Sequence, residues 1–209
     1  MNEINFSPSV SQSKKCIAGR GHLFIVSAPS GAGKTTLCKE VLRRLNNLLY
    51  SVSYTTRKPR PGERNGVDYY FISKDDFIKN IDNGRWAEWA EVYGNFYGTS
   101  ADFLDKGLRA GSDILLDIDI QGTIQILERY PESVTIFVLP PSLDELKSRL
   151  QSRGTDSSRE IERRLLSAKE EMIKKNMYRH IVRNEHLPHA VEELIVIIEK
   201  YRSGSERIE

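Results

Sequence analysis

The stretch HLFIVSAPSGAGKTTLCKEVLRRL, from His22 to Leu45, constrains the fold more than any other part of the chain. An unbroken apolar run without polar alternation is a strand buried on both faces, and such strands belong inside parallel sheets. This one passes through a loop of small residues into a segment whose Leu37, Val41, Leu42 and Leu45 recur on one helical stripe. A strand, a tight loop and an amphipathic helix in that order aim the positive end of the helix at the loop, which makes the loop an anion site.

The loop departs in one place from the phosphate-cradling pattern G-x-x-x-x-G-K-[ST], because Ala28 stands where the first glycine is expected. A triphosphate needs converging backbone N–H groups and room for close approach. Gly31 and Gly33 supply the room, Lys34 is placed to reach the outer phosphates, and the Thr35 hydroxyl is placed to ligate a bridging magnesium. Ala28 sits at the strand exit, where an alanine suffices unless φ must be positive, and Pro29 biases it toward extended geometry. The candidate ATP-binding loop therefore comprises Ala28, Pro29, Ser30, Gly31, Ala32, Gly33, Lys34, Thr35 and Thr36.

With 209 residues, 39% of them hydrophobic, the chain is expected to form one well-cored domain. Its 31 Lys and Arg nearly balance 29 Asp and Glu, so the net charge of +2 leaves no nucleic-acid footprint. Any polyanion site must be local. Cys16 and Cys38 are too few for a disulfide framework and share no metal-ligand spacing with the four histidines, which fits a reducing cytoplasm. The apolar run LFIVSA is far shorter than a membrane span and leads into glycines and a lysine rather than a cleavage site, so no membrane partner is expected.

Residues 1–20, polar and serine-rich, read as a mobile tail. Beyond them strand and helix alternate: a buried strand at DILLDIDI, a helix at QGTIQILERY and a strand at SVTIFVL. A helix opened by Ser142, with Glu145 completing a capping box, comes next, then a short strand at RHIVRN and a helix at AVEELIVIIEKY. This alternation predicts an α/β fold, a parallel sheet with helices on both faces. Two segments interrupt it. Residues 53–100 hold short aromatic pieces, DYYFI and EWAEVYGNFYGT, around a helix that Ser73 and Asp76 can cap, the pattern of a small inserted subdomain. In LQSRGTDSSREIERRL a glycine and small polar residues separate arginine-bearing helices, the composition of a mobile flap.

Carboxylates do not belong in a buried strand, yet Asp117 and Asp119 stand two residues apart as the apolar run DILLDIDI gives out. At the C-terminal edge of a parallel sheet they would face the ligand crevice, where an acid holds magnesium directly or through water. Capping the next helix is the alternative for either residue. In TTRKPRPGERNGVDYY, Arg57 and Arg60 lie beside prolines and a glycine turn, with Tyr69 beyond. Guanidinium forks suit phosphate oxygens, although a solvated basic turn is the plainer reading of this segment alone. RWAEWAEVYG sets Glu88 between Trp86 and Trp89. A carboxylate accepts both the N1–H and the 2-amino hydrogens of guanine, whereas adenine presents an acceptor at N1. On spacing alone Glu91 is an equal candidate. Trp86, Trp89, Tyr93 and Phe96 read as the subdomain's core rather than a stacking platform.

In order and spacing, SAPSGAGKTTL, SVSYTTRKPRPGERNGVDYYFI, EWAEVYGNFYGT, ILLDIDIQG, PPSLDELKSRLQSRGTDS and RRLLSAKEEM together resemble the guanylate kinases, over nearly everything from Gly21 to Tyr201. Members of that family carry Gly or Ala at the position of Ala28. The resemblance implies a three-part P-loop fold: a core of residues 21–52, 101–143 and 165–209, a GMP-binding subdomain at 53–100 and a helical lid at 144–164. It implies Mg²⁺-dependent phosphoryl transfer from ATP to GMP, with dGMP as a second acceptor. It also implies that Arg57, Arg60, Tyr69 and Tyr97 hold the GMP phosphate, and it selects Glu88 for the guanine edge, with Ser53, Thr99 and Asp119 completing the pocket. Arg149, Arg153 and Arg164 match the arginines that close over ATP, and Arg57 would bridge from the acceptor side.

A phosphate monoester is already anionic near pH 7, so no general base is expected. Catalysis should rest on positioning and charge neutralisation by Lys34, magnesium and arginines. Two rival readings are a scaffold-type binding module without ATP chemistry, opposed by GAGKTT, and a P-loop kinase for another small phosphorylated acceptor, opposed by the full acceptor set. Monomer and homo-oligomer both stay open.

Overall fold

The computed structural model of the protein describes residues 19–92, 94–152 and 157–206, so all but the end of the expected N-terminal tail lies outside the described residues. In chain order the elements are β1 (Leu23–Ser27), α1 (Lys34–Arg44), β2 (Leu48–Tyr50), β3 (Tyr54–Thr55), β4 (Tyr70–Phe71), α2 (Lys74–Asp82), β5 (Trp86–Val92) and β6 (Asn95–Ser100). They continue with α3 (Ala101–Arg109), β7 (Asp113–Asp117), α4 (Ile120–Arg129), β8 (Val134–Leu139), α5 (Leu143–Ser152) and α6 (Ser158–Ile173). A 3₁₀ turn at Lys174–Met177, β9 (His180–Arg183) and α7 (Leu187–Arg202) follow.

The larger sheet has the order β2-β7-β1-β8-β9 and is parallel throughout. Strand periodicity sorts its central strand onto two cores. Phe24 and Val26 pack with Leu37 and Val41 of α1 and with Leu194 and Ile198 of α7, whereas Leu23 and Ile25 pack with Leu104 and Leu108 of α3 and Ile126 of α4. Helices therefore cover both faces, and an all-apolar strand is the consequence. Chain reversal on either side of β1 opens a crevice beyond its C-terminal end, the place where open α/β sheets bind ligands.

The smaller sheet has the order β4-β3-β6-β5, with β5 and β6 antiparallel and β3 and β4 parallel. Its core is aromatic: Phe77 of α2 stacks on Trp86 at 4.5 Å and on Phe96 at 5.3 Å between ring centroids. Trp89 joins only at the rim, edge-on to Phe96 and 37% exposed, so the expectation of a core role is met by Trp86 and Phe96 but not fully by Trp89. Tyr93 lies outside the described residues. Ser73 caps α2 by accepting from Asp76 N at 3.1 Å, as the spacing predicts. Ser142 accepts from Glu145 N at 3.0 Å ahead of α5.

α5 and α6 pack through Leu146, Leu150, Ile161 and Ala168. The segment between them, with Arg153, lies outside the described residues. The edge strand β2, the two-residue strand β3, the 3₁₀ turn and the helix α3, which Ser100 caps through Phe103 N at 3.3 Å, have no counterpart in the sequence reading.

Candidate active site

Between β1 and α1 the chain turns through Gly31 (φ 94°) and Gly33 (φ 92°), a left-handed geometry that side chains resist. Both glycines also make room. A Cβ on Gly31 would stand 3.0 Å from Leu146 of α5, and one on Gly33 only 2.5 Å from Asn184 Nδ2. Asn184, buried just beyond the edge strand β9, donates to the Ala32 carbonyl at 2.8 Å and so ties the loop to that strand. Among the described residues the only non-glycine at positive φ is Asn47, so Ala28 occupies ordinary backbone at the strand exit and its missing glycine costs nothing. Pro29 is buried behind it, Ser30 is exposed at the loop tip, and Thr36 is exposed on the first turn of α1.

Lys34 Nζ lies 2.7 Å from Asp117 Oδ1 and donates to the Ile118 carbonyl at 2.8 Å. Burial disfavours its ammonium, but the Asp117 charge and hydrogen bond outweigh that and its pKa is raised. Thr35 Oγ1 donates to the other Asp117 oxygen at 3.0 Å. One carboxylate at the end of β7 thus meets both polar side chains that open α1, because β1 and β7 pair in parallel with Val26 opposite Asp117. Asp119 is placed differently. The strand stops at Asp117, and Asp119 becomes the N-cap of α4, its Oδ1 accepting from Gly122 N at 2.8 Å. The helix-capping alternative applies to this residue, which nevertheless stays close enough to act electrostatically on Lys34 and Glu88.

Across the crevice, Glu88 is 6% exposed and accepts from Thr99 Oγ1 at 2.6 Å. Burial pushes its carboxyl up to about 7, against the pull of the Thr99 hydroxyl. Glu91 is exposed. The segment is a strand, not a helix, and residues three apart on a strand face opposite sides. A register shift between Trp86 and Glu88 keeps Trp86, Ala87 and Glu88 all buried, which simple alternation does not foresee. Ser53 precedes β3, its carbonyl accepting from Tyr70 N at 2.9 Å.

The basic turn is ordered around an acid that sequence reasoning missed. Glu63 receives both terminal nitrogens of Arg57, at 2.8 and 3.0 Å, and the backbone N–H of Arg60 at 2.7 Å. Those Glu63 bonds hold the Arg57 guanidinium pKa above its usual value. Arg57 also lies 5.3 Å from the ring centre of Tyr69, whose ring meets Tyr97 edge-on at 6.0 Å. Arg57, Tyr69 and Tyr97 are therefore one cluster, while the Arg60 side chain is exposed at its margin. On the α5 side, Arg149 pairs with Glu145 at 3.0 Å, and its Nη1 would lie 3.9 Å from a Cβ on Gly33. Arg164 lies half-buried on α6.

A separate cavity of about 560 Å³, lined by His22, Tyr130, Ser133 and Tyr201 among others, opens at the N-terminal ends of the same strands. Its lining does not include Lys34, Asp117 or Glu88, and it includes Arg129, already paired with Asp105 at 3.0 Å. Among the described residues no helix is long and apolar enough to cross a membrane.

The arrangement sets a glycine-rich loop with Lys34 near a buried carboxylate, Glu88, that feels the lysine's charge. Comparison with known proteins identifies the family. The guanylate kinase family model matches residues 20–201. The chain is 52% identical over 185 residues to the guanylate kinase of Geobacter metallireducens, covering 88% of this chain and 91% of that one. It is 42% identical over 184 residues to the guanylate kinase of Thermotoga maritima, covering 88% and 89%. The crystal structure of guanylate kinase from Anaplasma phagocytophilum superposes with a TM-score of 0.74 at 32% identity, covering 88% of this chain and 87% of the other. The chain belongs to the guanylate kinase family.

Proposed function

We infer that the protein transfers the γ-phosphoryl group of ATP to GMP, and to dGMP, giving ADP and GDP. The observation that carries this reading is the buried Glu88–Thr99 pair facing the same crevice as Lys34. An anion loop alone selects a triphosphate, whereas a desolvated carboxylate selects a base with two adjacent N–H groups. Glu88 would accept from guanine N1–H and N2–H, with Ser53, Thr99 and Asp119 around the base. Arg57, Arg60, Tyr69 and Tyr97 would hold the acceptor phosphate, Arg57 exchanging Glu63 for it. A carboxylate and a phosphate offer the same bidentate face, which is why Glu63 suits Arg57 in the unliganded protein.

One phosphate oxygen of GMP attacks the γ-phosphorus, a P–O bond forms, and the bond from that phosphorus to the β–γ bridging oxygen breaks. No proton need be removed from the attacking oxygen. The chain's task is to bring two polyanions into line and spread the charge. Lys34 would leave Asp117 for the outer phosphates, and Arg149 and Arg164, with Arg153 outside the described residues, would close over them. Among the described residues no three acidic, His or Cys side chains gather as a metal cluster, which fits Mg²⁺ carried chiefly by nucleotide phosphates. Thr35 and Asp117, 3.0 Å apart at the head of α1, are the oxygens that would hold it, and bound there it would neutralise charge on the phosphates. The division into core, GMP-binding subdomain 53–100 and lid 144–164, and a cytoplasmic setting, belong to the same reading.

A coupled ADP-release assay with ATP, Mg²⁺ and GMP, dGMP, AMP, CMP or UMP tests it. Turnover with GMP and dGMP is expected, and none with GMP would overturn it.

A further inference from the structure

β5 is the outer strand of the smaller sheet, so alternate backbone groups along it have no strand to pair with. At Trp89 a side chain takes that role. Gln125 of α4 accepts from Trp89 N–H at 3.1 Å and donates to the Trp89 carbonyl at 2.8 Å. One primary amide thereby supplies both bonds that a neighbouring strand would make to a single residue. The residue so held directly follows Glu88.

One turn earlier on the same face of α4, Gly122 lies against the Glu88 carboxylate. A Cβ on Gly122 would stand 2.7 Å from Glu88 Oε2 and 3.1 Å from its Cδ. Gly122 and Gln125 are spaced i, i+3, so both reach β5 together. Glu88 is therefore set from two sides, by a backbone clamp at the next residue and by a missing side chain beneath its own carboxylate.

We propose that Gln125 is a positioning residue for guanine selection: its amide clamps β5 onto α4 and, with Gly122 leaving the space, fixes the Glu88 carboxylate at the mouth of the core. The proposal rests on Glu88 being the acid that reads guanine. Asp119, the N-cap of α4, lies two residues beyond the β7 end that carries Asp117, so the clamp also sets the distance from Glu88 to the phosphate loop. Both clamp bonds lie at the surface, where water replaces them at little cost in stability. Water does not supply a fixed register. Function should therefore respond to loss of this side chain more than folding does.

The test compares Gln125→Ala, Glu88→Gln and the double variant in steady-state assays with GMP, AMP and ATP, alongside thermal unfolding. Gln125→Ala is expected to fold, to raise KM for GMP about tenfold, or ~1.4 kcal/mol, and to lower discrimination against AMP by a similar factor. KM for ATP stays unchanged. In the Glu88→Gln background the same substitution adds no further change in KM for GMP, because the group it positions is already altered. Unchanged GMP kinetics in Gln125→Ala, while Glu88→Gln loses selectivity, overturns the clamp and leaves the Glu88 reading standing. Equal rises in KM for ATP and GMP with a large fall in melting temperature, or failure to fold, overturns it in favour of a structural role. Undiminished selectivity in Glu88→Gln overturns both.

Discussion

A carboxylate that must accept two guanine N–H groups has to be ionised, and burial pushes the Glu88 carboxyl up to about 7. On the proposed role of Glu88, GMP should bind only the part of the protein that has lost this proton, and its apparent Kd should be divided by that fraction. The ionised fraction is roughly 0.09 at pH 6, 0.5 at pH 7 and 0.9 at pH 8, so apparent affinity for GMP should rise about tenfold from pH 6 to pH 8. The GMP phosphate titrates near pH 6 and adds a slope of its own. Two controls remove it: guanosine in place of GMP, and the Glu88→Gln protein, whose amide has no proton to lose. Calorimetric titration across this range, in buffers of differing ionisation enthalpy, reads both affinity and proton release. Release of nearly one proton per guanosine at pH 6 by the native protein, and none by Glu88→Gln, is the expected result. Identical pH curves for the two proteins would refute the reasoning.

The same proton links to folding. In the unfolded chain the carboxyl returns to its ordinary value of 4.5, so between there and about 7 the native state holds a proton that the unfolded state does not. This contribution is fully present below the unfolded value and is lost as pH rises through 7, amounting to roughly 3 kcal/mol. Denaturant melts should accordingly find Glu88→Gln more stable than the native protein at pH 8, with the advantage shrinking as pH falls and vanishing below the unfolded value of 4.5.

Three other substitutions probe the remaining parts. Lys34→Ala should cut turnover by at least about 10²-fold with the far-UV spectrum retained; near-normal rates would refute the role of the loop. Gly33→Ala forces a side chain into left-handed backbone and onto Asn184, and should cost about 1–3 kcal/mol in melts while weakening ATP but not GMP binding. Unaltered ATP affinity would count against that geometry. Phe77→Ala removes the ring between Trp86 and Phe96 and should cost about 3–5 kcal/mol, with GMP binding lost at lower denaturant than ATP binding. Loss of both together would mean that the two sheets unfold as one.

What was legible in the chain follows from how far apart the cooperating residues are. Lys34 and Thr35 adjoin the two glycines of the loop, so strand, loop and helix announce themselves within a single window. The edge strand β2 escaped because it is three residues long and exposes Leu49, and α3 because its apolar positions follow directly on β6. Asp119 shows where alternation stops applying: it puts Asp119 beside Asp117 only if the strand continues, and the strand ends two residues earlier, at Asp117, leaving Asp119 to cap α4. In the sequence only the family resemblance separates Glu88 from Glu91. Physically they part because the segment is a strand, which turns residues three apart to opposite faces, and its bulge keeps Trp86, Ala87 and Glu88 all buried.

Gln125 marks the limit of such reading, because what it recognises is the backbone of Trp89, 36 positions away. Backbone groups carry no letter in a sequence, so no spacing rule can pair them with an amide on a distant helix. Gly122 is hidden for the related reason that its contribution is space, which becomes meaningful only once the Glu88 carboxylate is seen 2.7 Å from where a Cβ would stand. Residues that present charge to a ligand are thus found by chemistry and pattern. Those that aim them are found only where the folded chain brings a side chain against another element's backbone, and that is where substitutions should alter selectivity without touching the groups that read the substrate.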